Sequence, residues 1–177
     1  TMYLSLAGLI GFSLLYTLLL KPHTAQNIVL GGAAGAMPPV LGWAAAGHGV
    51  GVEALTLFLI IFVWTPPHFW SLALYHRTDY ARAGLPMLPV VRGERYTRAS
   101  ILAYTYLLAA VSLLPCAVGA GGYGYCCAAL VLNARFLRLA HEMYRRYSDE
   151  LALKTFKYSV GYLFGLFLAL LIDHCLP

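Results

Sequence analysis

Six apolar runs, at residues 2–20, 26–46, 52–75, 99–118, 121–140 and 158–174, take up most of the chain. Each approaches the length of about 20 residues that a helix needs to cross the hydrocarbon core of a bilayer. Backbone polar groups in lipid must be satisfied within the chain, which leaves helices or closed barrels. None of the runs alternates apolar and polar residues as barrel strands do. The expected fold is therefore all-α, a polytopic transmembrane helix bundle with six spans in one membrane domain over residues 1–177.

The composition supports that class. The chain is 60% hydrophobic and only 11% charged, against about a quarter charged in soluble domains. Its net charge of +5 does not indicate a nucleic-acid binder, which needs its cations on a water-facing surface. Here they fall between the apolar runs. Lys21 lies in the first connection, Arg77, Arg82, Arg92, Arg95 and Arg98 in the third. Arg135, Arg138, Arg145, Arg146, Lys154 and Lys157 lie in or beside the fifth. The second and fourth connections and both ends carry none, so the basic connections are expected in the cytoplasm and both ends outside.

The start, Thr1 then Met2, has no basic segment or cleavage pattern of a signal peptide, and the chain is expected to be a fragment. Cys116, Cys126, Cys127 and Cys175 lack ligand spacing and are expected to be small buried packing residues.

The most informative stretch is WTPPHFWSLALYHRTDYARAGLPMLP, Trp64 to Pro89. Pro66 and Pro67 lack the amides that would bond the carbonyls of Phe62 and Val63, so a bend or opening is expected there. Such breaks at membrane depth belong where backbone is buried in protein or lines a cavity. If a helix continues past them, Trp64, His68, Tyr75, Asp79 and Arg82 share one stripe of roughly 60°. His68 is then either an interhelical hydrogen bonder or a ligand or proton-transfer group in a cavity. Asp79, flanked by Arg77 and Arg82, is either a surface ion pair or a carboxylate for Mg²⁺ beside a diphosphate.

The remaining connections carry fewer signals. Lys21 is either a positive-inside anchor or a phosphate contact. Asn27, at the mouth of an apolar run, needs a polar neighbour or cavity. Pro38 and Pro39 are expected to kink the small-residue run 26–46. AGLPMLPVVRGERYT, with two prolines and an apolar face, reads as an interfacial or re-entrant cap. HEMYRRYSDELALKTFKYS reads as a solvated loop, and no catalytic role is expected of Asp173 or His174.

Three blocks, YTLLLKPHTAQNIVLGGAAGAMPPVLGW (16–43), WTPPHFWSLALYHRTDYARAGLPMLPVVRG (64–93) and YSVGYLFGLFLALLID (158–173), resemble the UbiA family of intramembrane prenyltransferases, in its haem-alkylating branch. The resemblance implies a nine-helix bundle around a cytoplasm-facing cavity in a bacterial inner membrane. It also implies transfer of farnesyl from farnesyl diphosphate to a vinyl group of haem B, with Mg²⁺ assisting the diphosphate. Haem B is then a substrate, and haem-copper oxidase assembly proteins are implied partners.

By the same resemblance His68 and Asp79 are catalytic, with Asp79 at the metal. Lys21, Arg77 and Arg82 hold diphosphate, and Trp64, Phe69, Trp70, Asn27 and Tyr80 line the substrate sites. The family's NDxxD motif is absent, and DYARAG offers only Asp79 where a second acidic motif has more than one Asp. Three further N-terminal helices are expected, with no transfer by this stretch alone. Another aromatic acceptor, a non-enzymatic haem carrier or a transporter module remain the alternatives.

Overall fold

The computed structural model describes residues 27–47 and 51–175; the first apolar run and Lys21 lie outside them. All regular structure among the described residues is helical. The elements are α1 Asn27–Gly35, α2 Pro38–Ala45, α3 Val52–Tyr75, α4 Arg77–Arg82, α5 Leu88–Val91, α6 Glu94–Val111, α7 Leu114–Ala117, α8 Tyr123–Arg145 and α9 Asp149–Cys175. Three stretches among them, Val52–Tyr75, Glu94–Ala117 and Asp149–Cys175, are long and apolar enough to cross a membrane.

α3 is the central rod, packed against α1, α2, α6 and α9, and α8 closes the bundle against α6 and α9. One apolar cluster joins Trp70, Leu74, Leu88, Ile101 and Met143. A second joins Ile60, Val63, Leu108, Phe136 and Tyr162. Between α6, α8 and α9 lies a buried polar network. Tyr162 donates to Asn133 Oδ1 at 2.7 Å, Asn133 Nδ2 donates to Ser112 Oγ at 2.8 Å, and Tyr125 donates to the Ser112 carbonyl at 2.7 Å. With its members paired, the network avoids the cost of lone polar groups in an apolar interior.

The two proline pairs behave in opposite ways, and the helix opening expected at Pro66 and Pro67 is absent. α3 remains a single helix through Pro66 and Pro67, both buried along with Thr65 and His68. Packing on several sides holds the rod across the two missing hydrogen bonds. Pro38 and Pro39 instead start α2, where a missing amide costs little, and the run 26–46 is two helices rather than one kinked helix.

Several connections also differ from expectation. α8 and α9 continue past their apolar runs, so the expected solvated loop after His141 reduces to Arg146–Ser148. Ser148 ends it by accepting the Leu151 N–H at 3.1 Å, an N-cap with acidic residues in the first turn of α9. The expected cap is the single turn α5, with Leu88 and Pro89 buried against α3 and α6. Gly93, at φ +82°, enters α6 from the left-handed region that a side chain would disfavour.

The cysteine reading is corrected as well. Cys116 and Cys126 form a disulfide that bridges α7 and α8, while Cys127 and Cys175 are exposed. Burial as packing residues therefore describes none of the four. Their pairing depends on a turn that brings residues ten apart in sequence together, which no ligand-type spacing reveals. Beside this bridge, Asp173 of α9 accepts the backbone N–H groups of Gly122 and Tyr125, capping the start of α8 from another helix. A Cβ on Gly122 or Gly124 would lie 2.8 Å from that carboxylate, so the approach depends on glycine.

Candidate functional site

His68 is buried inside the bundle. It is 7% exposed and its ring lies between Trp64, with centroids 4.2 Å apart, and Phe156 of α9, at 4.6 Å; both contacts are stacked. Phe69 meets it edge-on at 4.9 Å. The helical spacing of four residues sets Trp64 above His68 on the α9-facing side of α3.

Ser159 of α9 fixes both residues. The Trp64 indole N–H donates to the Ser159 carbonyl at 2.8 Å. The Ser159 hydroxyl donates to the Phe156 carbonyl at 2.6 Å and lies 2.7 Å from His68 Nδ1. A hydroxyl carries one proton. With that proton on the Phe156 carbonyl, His68 donates from Nδ1 and its Nε2 lone pair is available to a ligand or a proton.

An apolar cavity of about 250 Å³ opens on another side of Trp64, lined by Ile28, Gly31, Gly32, Ile61, Thr65 and Phe69 among others. A Cβ on Gly32 would come 3.1 Å from Thr65 Cγ2, so glycine allows α1 and α3 to approach closely beside it.

The polar residues that follow are not continuous with this stack. α3 ends at Tyr75, and His76 separates it from α4, so the expected stripe from Trp64 to Arg82 is interrupted. Asp79 is 64% exposed and contacts His76 Nδ1 at 3.1 Å; Tyr80 meets His76 edge-on. Arg82 is exposed. Arg77 donates to Asp149 at 2.6 Å, to the Tyr147 hydroxyl at 2.7 Å and to the Leu74 carbonyl at 3.2 Å.

That hydrogen bond to Asp149 raises the Arg77 pKa further. Desolvation, then the hydrogen bond to Asp149, raises that of Tyr147. Arg77 thus ties α4 to the α8–α9 turn. Trp70 sits in the core, edge-on to Tyr104, and its buried indole N–H has no hydrogen-bond partner among the described residues. Asn27 opens α1, but its side chain lies outside the described residues.

The structure thus brings Trp64, His68 and Phe69 together and leaves Asp79, Tyr80 and Arg82 on a separate exposed turn. Sequence reasoning missed Ser159 and Phe156. The available signal was a serine within an apolar run, which must find a partner as surely as a histidine must. The described residues do not build a metal site: none of their His, Cys, Asp and Glu side chains forms a group of three, and Glu94 is engaged with Arg98 at 3.4 Å.

The UbiA prenyltransferase family matches the chain over residues 1–171. The chain is 59% identical over 177 residues to the protoheme IX farnesyltransferase of Thiobacillus denitrificans, covering 100% of this chain and 59% of that protein. It is 61% identical over 176 residues to that of Azoarcus sp. strain BH72, covering 99% and 59%. It is 59% identical over 174 residues to that of Cupriavidus taiwanensis, covering 98% and 57%. The chain therefore spans less than three fifths of the length of these relatives. No solved structure matches it.

Proposed function

The chain belongs to the UbiA prenyltransferase family, and from that membership we propose that it works as a protoheme IX farnesyltransferase. Farnesyl passes from farnesyl diphosphate to a vinyl group of haem B to give haem O. Relatives that carry this name align with nearly the whole chain at about 60% identity. The observation that carries the site assignment is the Trp64–His68–Phe156 stack, pinned by Ser159 beside an apolar cavity.

The chemistry suits such surroundings. The bond between the farnesyl carbon and the diphosphate oxygen breaks, and that carbon bonds to the terminal vinyl carbon. Positive charge moves to the ring-attached carbon, where water adds and loses a proton. The Trp64 and Phe69 faces stabilise the cation, and the apolar walls keep water from reaching it early. His68 Nε2 takes the proton from the adding water, while Nδ1 stays held by Ser159.

Asp79 and Arg82, exposed at the end of this stretch, together with Lys21, face the diphosphate in this reading. The family reading names Mg²⁺ as the diphosphate's metal, but Asp79 with His76 is not a binding set. Haem-copper oxidase assembly proteins would receive the product.

The enzyme resides in the bacterial inner membrane with its arginine-rich connections in the cytoplasm. The Cys116–Cys126 bridge, beside the uncharged fourth connection, suits the opposite, oxidising side. The test is to supply the full-length protein with farnesyl diphosphate and either haem B or 4-hydroxybenzoate, and to identify the product by mass. Haem O from the first supports the assignment; prenylated benzoate alone overturns it.

A further inference from the structure

Four cations outside this site converge on one groove. α8 contributes Arg135 and Arg138, and α9 contributes Lys154 and Lys157, to two adjoining cavities of about 550 and 650 Å³ that share Arg135, Leu139 and Lys154. Glu142 and Glu150 also line them. Among the described residues, neither lies within ion-pair distance of these cations.

The Arg135 guanidinium lies 5.0 Å over the Tyr158 ring, and that tyrosine is itself held by donating to the Leu132 carbonyl at 2.9 Å. Arg135 lies about 8 Å inside the end of its apolar run at residue 140, where a charge facing hydrocarbon alone is costly.

The groove also has an apolar continuation. Val131, Arg135 and Arg138 share a face of α8, and Lys157, Gly161 and Phe164 share a face of α9. Val131 is 71% exposed and Phe164 68%. A Cβ on Gly161 would meet nothing within 4 Å, so the groove is open at its centre. Cations at one end and bare apolar side chains at the other match an amphiphile with an acidic head.

We propose that the groove between α8 and α9 binds an acidic membrane phospholipid, its headgroup at Arg135, Arg138, Lys154 and Lys157 and an acyl chain along Val131 and Phe164. The ligand satisfies charges that the protein leaves unpaired, and its hydrocarbon covers the exposed strip.

The test is native mass spectrometry of the full-length protein with phosphatidylglycerol and phosphatidylcholine in equal amounts. The unaltered protein should retain phosphatidylglycerol preferentially. Arg135→Gln with Lys154→Gln should weaken that preference by roughly tenfold or more, each charge contributing about fivefold. Arg135→Lys with Lys154→Arg, which preserves charge, should keep it and so excludes misfolding as the cause. Equal retention of the two lipids by the unaltered protein overturns the proposal, as does a preference that survives the glutamine changes. Loss of haem B binding without loss of lipid preference also overturns it, by making the groove a substrate site.

Discussion

His68 Nδ1 on α3 stands 2.7 Å from Ser159 Oγ on α9, and the carbonyl of the same serine accepts the Trp64 indole N–H at 2.8 Å. One residue of α9 therefore orients two consecutive turns of α3. Replacing Ser159 with Ala should remove the hydroxyl but keep the carbonyl contact, freeing the imidazole to change tautomer. Haem O formation is expected to fall roughly tenfold, the scale of one lost hydrogen bond. Ser159→Thr, which retains a hydroxyl, should recover most of the rate. Equal rates in all three proteins would show that the contact only packs helices.

His68→Phe tests the ring itself. Phenylalanine preserves the stack with Trp64 and Phe156 but has no Nε2. Haem O formation should drop by about 10²–10⁴, the usual contribution of a positioned proton-transfer group, with helix content by circular dichroism unchanged. A rate close to that of the unaltered protein would reduce His68 to a packing residue.

Asp79→Asn separates a surface contact from a substrate contact. The carboxylate is exposed and meets only His76 among the described residues, so its loss should scarcely change thermal stability. Turnover with farnesyl diphosphate should nevertheless fall sharply. If turnover and its dependence on divalent metal both stay the same, Asp79 has no role at the diphosphate.

Asn133→Ala addresses the buried network. The change leaves the Tyr162 hydroxyl without its acceptor and Ser112 Oγ without its donor. Stability should fall by about 1–3 kcal/mol, measured as a lower midpoint of unfolding in detergent. An unshifted midpoint would mean that water or rearranged neighbours replace both bonds.

Cys116→Ser, or reduction of the unaltered protein, opens the bridge between α7 and α8. Alkylation before and after reduction should differ by two thiols, and the unfolding midpoint should fall, because a short closed loop contributes about 2–3 kcal/mol. Two extra reactive thiols without reduction would show that the bridge does not form in the membrane.

Much of the architecture could be read before any coordinates. Apolar runs near the length of a bilayer crossing leave a helical chain few alternatives, and α3 has the bounds that its run, 52–75, leads one to expect. The stretch around His68 was recognisable because imidazole and proline are both costly in lipid. Less legible were features that depend on neighbours. Arg77 and Arg82 look equivalent in sequence, yet Arg77 is bound to Asp149, whose place beside it depends on the turn between α8 and α9.

The sequence by itself determined the helical membrane class, the uneven distribution of charge and the stretch where proline, imidazole and aromatic rings concentrate. These follow from local properties: run length, side-chain charge and the missing amides of proline. Only the tertiary structure decided that Pro66 and Pro67 stay within one helix while Pro38 and Pro39 begin another. It also joined Cys116 to Cys126 and gave His68 its partner on a helix remote in sequence. Each outcome depends on which surfaces pack together, because a buried polar group or a broken hydrogen-bond ladder is stable only when a neighbouring element supplies the missing contact.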